Sequence, residues 1–340
     1  MQKKRIYYLD ILRVIACLAV IMIHSSCDYV MYKTTNFNFG VGNIFDSFAR
    51  LGVPLFVMIS GALLLDEKYD YSKEKLLKHI KKMILFFVFW SFVYCLLFNI
   101  IGQLFLLEKD FNVYRIINAF VQGYYHLWYI YLIIGLYLIL PLLRLWVNDK
   151  NKKYVEYFII LSLIFNFLIP QIIIIGNCYG SALVGINDIL CSKLCLQYVG
   201  GFTTYFILGW YINNYEIKHK KLIYILGIIS ILISIFGTYI LDLEFYGNLS
   251  LHVLLYTAAV FLFVKNIKAK ENKLILFISK YSLGIYAIHA MIIYVVNKVL
   301  LKINFTNALI NIPIVFVVTL VASTIGAYII SKIPFFKKFV

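Results

Sequence analysis

Long apolar stretches alternate along the chain with short clusters of lysine, glycine and asparagine. The stretches run close to the ~20 residues that a helix rising 1.5 Å per residue needs to cross a hydrocarbon core of about 30 Å. They predict ten membrane spans, near residues 7–27, 44–65, 83–107, 124–147 and 154–175, then 198–214, 222–241, 251–266, 278–300 and 309–331. The sixth and eighth are the shortest. No internal repeat, low-complexity tract or separate soluble segment interrupts the series, so residues 1–340 read as a single domain. The fold expected is all-α, a polytopic membrane helix bundle.

Composition narrows the class further. Hydrophobic residues make up 63% of the 340 and charged residues 14%, against about 45–50% and 25% in soluble domains. Too little polar surface is available to cover a water-soluble globule. The net charge of +16 does not point to nucleic acid, because the basic residues sit between apolar blocks and form no stripe or binding motif. With the N-terminus placed inside, 24 of the 32 lysines and arginines fall in inner segments, seven in outer ones, and Arg13 within a span. That bias predicts both termini on the cytoplasmic side of a bacterial inner membrane. The first apolar run is too long for a signal-peptide core and carries ionisable residues, so it reads as the first span. The six cysteines form no CxxC pair; Cys191 and Cys195 stand four apart in a predicted outer loop, where a disulfide with Cys178 is conceivable.

The chemistry lies in residues a bilayer should exclude. A charged residue at mid-span costs roughly 2.5–3.5 kcal/mol on insertion scales, yet the first span holds Asp10, Arg13 and His24. Asp10 and Arg13 stand i, i+3 and can pair. At ~100° per residue, His24 returns to within ~20° of Arg13 and ~40° of Asp10, so one helix face carries all three. Arg13 and His24 are roughly 16 Å apart along the axis, which puts one in the inner half and the other near the outer surface. Arg50, Ser60, His126, Trp128 and Tyr129 belong to the second and fourth spans, and Tyr286 and His289 to the ninth. Arg50, His126, Trp128 and Tyr129 lie at outer ends where they could converge on His24, although Trp128 and the tyrosines also suit an interfacial aromatic belt. His79 and His219 fall in lysine-rich loops, and His252 has no evident partner. The histidines lack the i, i+3 or i, i+4 pairing of a helical metal site, and no carboxylate cluster accompanies them, so no metal is expected.

These segments, in one order, carry a resemblance: YLDILRVIACLAVIMIH, RLGVPLFVMISGALL, HLWYIYLIIGLYLILPLLR and YSLGIYAIHAMII. The chain resembles the acyltransferase-3 family of integral-membrane acyltransferases. It is most similar to compact members without an appended extracellular domain, among them O-acetyltransferases of enterobacterial common antigen. The resemblance implies transfer of an acyl group, usually acetyl, from cytoplasmic acyl-CoA to a hydroxyl of a surface glycan or its lipid-linked oligosaccharide precursor. It also implies that Arg13 and His24 are the family's Arg-x10-His pair and that Ser60-Gly61 is its Ser-Gly motif, with Ala62 in place of the aromatic residue that often follows. No tightly bound cofactor is implied, acetyl-CoA being a co-substrate, and no fused soluble domain is expected after Val340.

On this reading Arg13 and the basic inner loops meet the anionic donor, Asp10 supports Arg13, and His24 serves as general base on the acceptor hydroxyl, a task suited to a near-neutral imidazole. The substrate-binding candidates are Arg50, Ser60, His126, Trp128, Tyr129, Tyr286 and His289. The rival class is a transporter or flippase for the glycan or its lipid carrier, although the related halves common in transporters are absent. A sensor or scaffold would leave the intramembrane Arg and His without purpose.

Overall fold

The computed structural model describes residues 5–31, 36–68, 72–101, 112–179, 200–241, 243–302 and 306–340, and no strand occurs among them. The helices in chain order are α1 (Tyr7–Val30), α2 (Phe37–Ala49), α3 (Gly52–Leu64), α4 (Lys73–Cys95), α5 (Val113–Gln122), α6 (Trp128–Trp146), α7 (Lys152–Ser162) and α8 (Ile169–Tyr179). They continue with α9 (Phe202–Asn214), α10 (Lys220–Ile240), α11 (Leu251–Asn266), α12 (Lys273–Lys302) and α13 (Ala308–Lys332). π-helical turns at Leu96–Ile101 and Leu163–Leu168 prolong α4 and join α7 to α8.

Eight helical stretches are long and apolar enough to cross a membrane. The protein is therefore multi-pass. The two expected spans that fall outside this set are the sixth and eighth, which form α9 and α11, of 13 and 16 residues. At 1.5 Å per residue these reach only about 20–24 Å. Both carry large side chains shut away inside the bundle: Tyr205, Phe206, Tyr256 and Phe261 are fully enclosed. The expected span at 44–65 begins earlier than its hydropathy suggested. Asn36 caps α2 by accepting from the Phe39 N–H at 2.8 Å, and α2 and α3 run on as one 28-residue stretch broken at Arg50 and Leu51.

Helix α1 is central, packing against α2, α3, α11, α12 and α13. Asp10 lies in its first turn, where a carboxylate complements the positive end of the helix dipole. Helices α3 and α9 approach each other closely at two glycines. A Cβ on Gly61 would stand 1.7 Å from the Phe206 carbonyl oxygen, and one on Gly209 would stand 2.0 Å from that of Met58. Only glycine permits this backbone-to-backbone contact, the device by which membrane helices pack without a hydrophobic driving force between them. It fixes the height of the neighbouring Ser60 against α6.

Candidate active site

The site is assembled from two polar stripes that face each other. On α1 the stripe is Asp10, Arg13 and His24; on α12 it is Ser279, Ser282, Tyr286 and His289, spaced three, four and three residues apart. That spacing keeps a helix face constant, and α1 packs along α12.

At the N-terminal end of α1 Asp10 is the hub. Its buried carboxylate accepts from Arg5 Nε at 2.6 Å and Nη2 at 2.8 Å, from Arg13 Nη1 at 3.1 Å, and from Ser279 Oγ at 2.6 Å. Arg13 Nη1 also donates to Ser279 Oγ at 3.0 Å. Outside the span, the hydrogen bond and the charge of Asp10 raise the pKa of Arg5. Arg13 is thus held from two sides, and its side chain remains 28% exposed. It lines a cavity of about 200 Å³ together with Phe56 and Ser60 of α3, Tyr129 of α6 and Ser282 and Tyr286 of α12. Ser60 Oγ is turned back onto the Phe56 carbonyl at 2.9 Å.

Towards the C-terminal end of α1 three imidazoles meet. His24 and His289 have ring centroids 5.2 Å apart, and His289 and His126 4.9 Å apart. Tyr286 stands beneath them, 5.2 Å from the His126 ring and 5.8 Å from that of Tyr129, and its hydroxyl donates to the His126 carbonyl. His289 Nδ1 bonds the Tyr286 carbonyl at 2.6 Å. His289 Nε2 and both ring nitrogens of His126 are buried without a hydrogen-bond partner among the described residues. His24 opens onto a second cavity of about 560 Å³, walled by the last turns of α1, the C-terminal half of α12 and the pair Tyr124–Tyr125. Tyr286 borders the Arg13 cavity and touches His289, which touches His24, so the imidazole cluster stands between the two cavities.

Of the four residues expected to converge on His24, His126 joins its cluster; Tyr129 borders the Arg13 cavity instead, and Arg50 and Trp128 have partners of their own. Arg50 reaches back one helical turn to the buried Asp46, at 2.5 Å from both Nε and Nη2, and lies over the Tyr246 ring at 4.5 Å. The break between α2 and α3 leaves it this local partner, and it borders neither the Arg13 nor the His24 cavity. Trp128 is 38% exposed and packs on Phe202, with ring centroids 5.8 Å apart. His252 does have partners: Nδ1 meets Gln171 Oε1 at 3.1 Å and Nε2 the Phe245 carbonyl at 2.8 Å. Cys191 and Cys195, and the side chain of Cys178, lie outside the described residues.

Sequence reasoning passed over Asp28, Tyr125 and Asn297 at the His24 cavity and Ser279 at the Asp10 network. Asp28 is one turn beyond His24, and both line that cavity; Asn297 Nδ2 donates to its Oδ2 at 2.8 Å. The i, i+4 spacing from His24 was the available signal for Asp28, as the three-four-three spacing was for Ser279.

No group of three or more His, Cys, Asp or Glu side chains among the described residues could hold a metal ion. What remains is a run of acid–base groups between two cavities in an apolar bundle. Comparison with curated proteins and with solved structures gives no match. The model of the acyltransferase-3 domain family matches residues 6–332, almost the whole bundle and both polar stripes, and the chain belongs to that family of acyltransferases.

Proposed function

We propose that this protein is a membrane O-acyltransferase of a bacterial inner membrane. It moves an acyl group, acetyl in the simplest case, from cytoplasmic acyl-CoA to a hydroxyl of a cell-surface polysaccharide or its lipid-linked precursor. Its termini and the shorter α9 and α11 fit a ten-span arrangement with both ends cytoplasmic. The observation that carries the reading is the pair of cavities on one polar face of α1, one bordered by Arg13 and the other by His24.

The donor enters from the Arg13 side. A guanidinium already oriented by Asp10 and Ser279 can meet a phosphate of the donor without losing further freedom, leaving the pantetheine arm to carry the thioester towards His24. The acceptor sugar occupies the outer cavity, against Tyr124 and Tyr125. One ring nitrogen of His24 takes the proton of the acceptor hydroxyl as its oxygen attacks the thioester carbon. The C–S bond then breaks, the thiolate leaves with CoA and recovers that proton, and the products are an O-acyl ester and free CoA. General-base assistance of this kind is worth typically 10²–10⁴-fold.

The test uses purified protein in lipid nanodiscs with radiolabelled acetyl-CoA and a panel of surface glycans and lipid-linked oligosaccharides. Label should move to the glycan and free thiol should appear in equal amount. His24→Ala should abolish both; undiminished transfer by that variant overturns the assigned role. Glycan movement across the membrane without thioester cleavage would favour a transporter instead.

A further inference from the structure

The imidazole cluster holds a feature that acyl transfer by His24 alone does not use. His289 is fully buried at the centre of the bundle. A carbonyl oxygen can only accept, so the 2.6 Å contact of Nδ1 with the Tyr286 carbonyl places the proton of neutral His289 on Nδ1. Nε2 is then a lone pair, and it is the atom left buried without a partner. An unmet acceptor in an apolar interior costs roughly 1–3 kcal/mol, so a neighbouring donor would be strongly drawn to it. The ring of His24 stands 5.2 Å away, tilted by only 30°; no hydrogen bond joins the two rings as they stand, and a turn of the His24 ring at that separation brings one N–H onto Nε2.

We infer that His289 is a positioning residue for His24: its Nε2 accepts the N–H of one His24 nitrogen and so leaves the other nitrogen as a lone pair directed at the outer cavity. His289 sets the His24 tautomer through a carbonyl, a neutral counterpart of the orienting carboxylate in a Ser-His-Asp triad. When His24 takes the acceptor proton, the resulting imidazolium keeps its other N–H on His289 Nε2, and no proton passes to His289. His126 meets His289 edge to face, 4.9 Å away at 80°, and is the competing donor. The role in transfer rests on the acyltransferase reading proposed above; the pairing of the two rings does not.

The experiment therefore reads the pairing without turnover. Diethyl pyrocarbonate acylates the lone-pair nitrogen of a neutral imidazole, and peptide mass spectrometry can follow its rate at His24 in nanodisc-held protein. His289→Leu should slow labelling of His24 by about ten-fold, the scale of losing the outer partner of a metal-ligating histidine. His289→Gln, whose amide oxygen can accept the same N–H, should recover most of that rate, and His126→Leu should leave it near wild type. Nitrogen-15 spectra of histidine-labelled protein should show His289 protonated at Nδ1. Equal slowing by His289→Leu and His289→Gln would mean packing alone and overturn the inference, as would no slowing by either, or slowing by His126→Leu as large as by His289→Leu. Failure of acetyl transfer with this labelling pattern intact would overturn the proposed function and leave the pairing standing.

Discussion

At the Asp10–Arg13 end of α1 every charge is answered, whereas at the His24 end the polar atoms are left waiting. Asp10 accepts from two arginines and a serine, and Arg13 is held by both Asp10 and Ser279. Around His24, fourteen residues further along the same face of α1, His289 Nε2 and both nitrogens of His126 are buried with no partner among the described residues. A membrane bundle could relieve that cost by placing apolar side chains there, since unpaired buried polar groups are rare and call for a reason. The contrast teaches what each end is for. A saturated network holds a cation still, which suits recognition of a fixed anionic or carbonyl group. An unsaturated cluster beside a cavity keeps lone pairs available, which suits proton transfer.

If that division is right, substitutions at the two ends will fail in different ways. The largest effect belongs to His24→Ala. Turnover should fall by roughly 10²–10⁴-fold, while the unfolding midpoint measured by tryptophan fluorescence in detergent stays unchanged. Next comes Gly61→Ala, which sets a methyl 1.7 Å from the Phe206 carbonyl oxygen. Backbone cannot rotate away as a side chain can, so the loss should exceed the ~1–3 kcal/mol of ordinary overpacking. It should appear as poor recovery of folded protein, with Gly209→Ala behaving alike. Asp10→Asn ranks third. It should lower stability by about 1–3 kcal/mol through the charged hydrogen bonds it weakens, discounted because Arg5 is half exposed. It should also raise KM for acyl-CoA more than it lowers kcat. A kcat loss at Asp10 matching that at His24 would erase the proposed distinction between the two ends.

The face joining these ends was legible in the sequence because helical periodicity alone brings Asp10, Arg13 and His24 to one side. The matching stripe on α12 was legible in part: Tyr286 and His289 stood out, but Ser279 and Ser282 carry no charge to attract notice in an apolar run. Apolar runs also mark the long spans well, since length and composition are what insertion requires. For the shorter α9 and α11 they leave the surroundings open, because an apolar run alone does not say whether a helix is enclosed by protein or by lipid. Arg50 shows the other limit. Its place at the same predicted end of a span as His24 suggested convergence, but the nearest opposite charge decides where a guanidinium goes, and Asp46 is one turn away. His252 was unreadable for a similar reason: its partners, Gln171 and the Phe245 carbonyl, come from tertiary packing that no local spacing reports.

The smallest effect expected is also the sharpest check on which face of α6 belongs to the site. Trp128 and Tyr129 are adjacent, and ~100° of helix separates their side chains. Tyr129 borders the Arg13 cavity and lies 5.8 Å from the Tyr286 ring, while Trp128 packs on Phe202 and is 38% exposed. An exposed tryptophan at a span end behaves as an interfacial anchor, and Phe keeps most of its apolar area while removing only the indole N–H. Trp128→Phe should therefore shift stability by no more than about 0.5 kcal/mol, as surface substitutions do, and leave acetyl transfer within two-fold of wild type by the same kinetic rule that ties rate to free energy. Tyr129→Phe removes a hydroxyl from the cavity wall and should cost more than its neighbour. Reversal of that order would move the site to the opposite face of α6, and with it the claim that the route from Arg13 to His24 runs past Tyr129 and Tyr286.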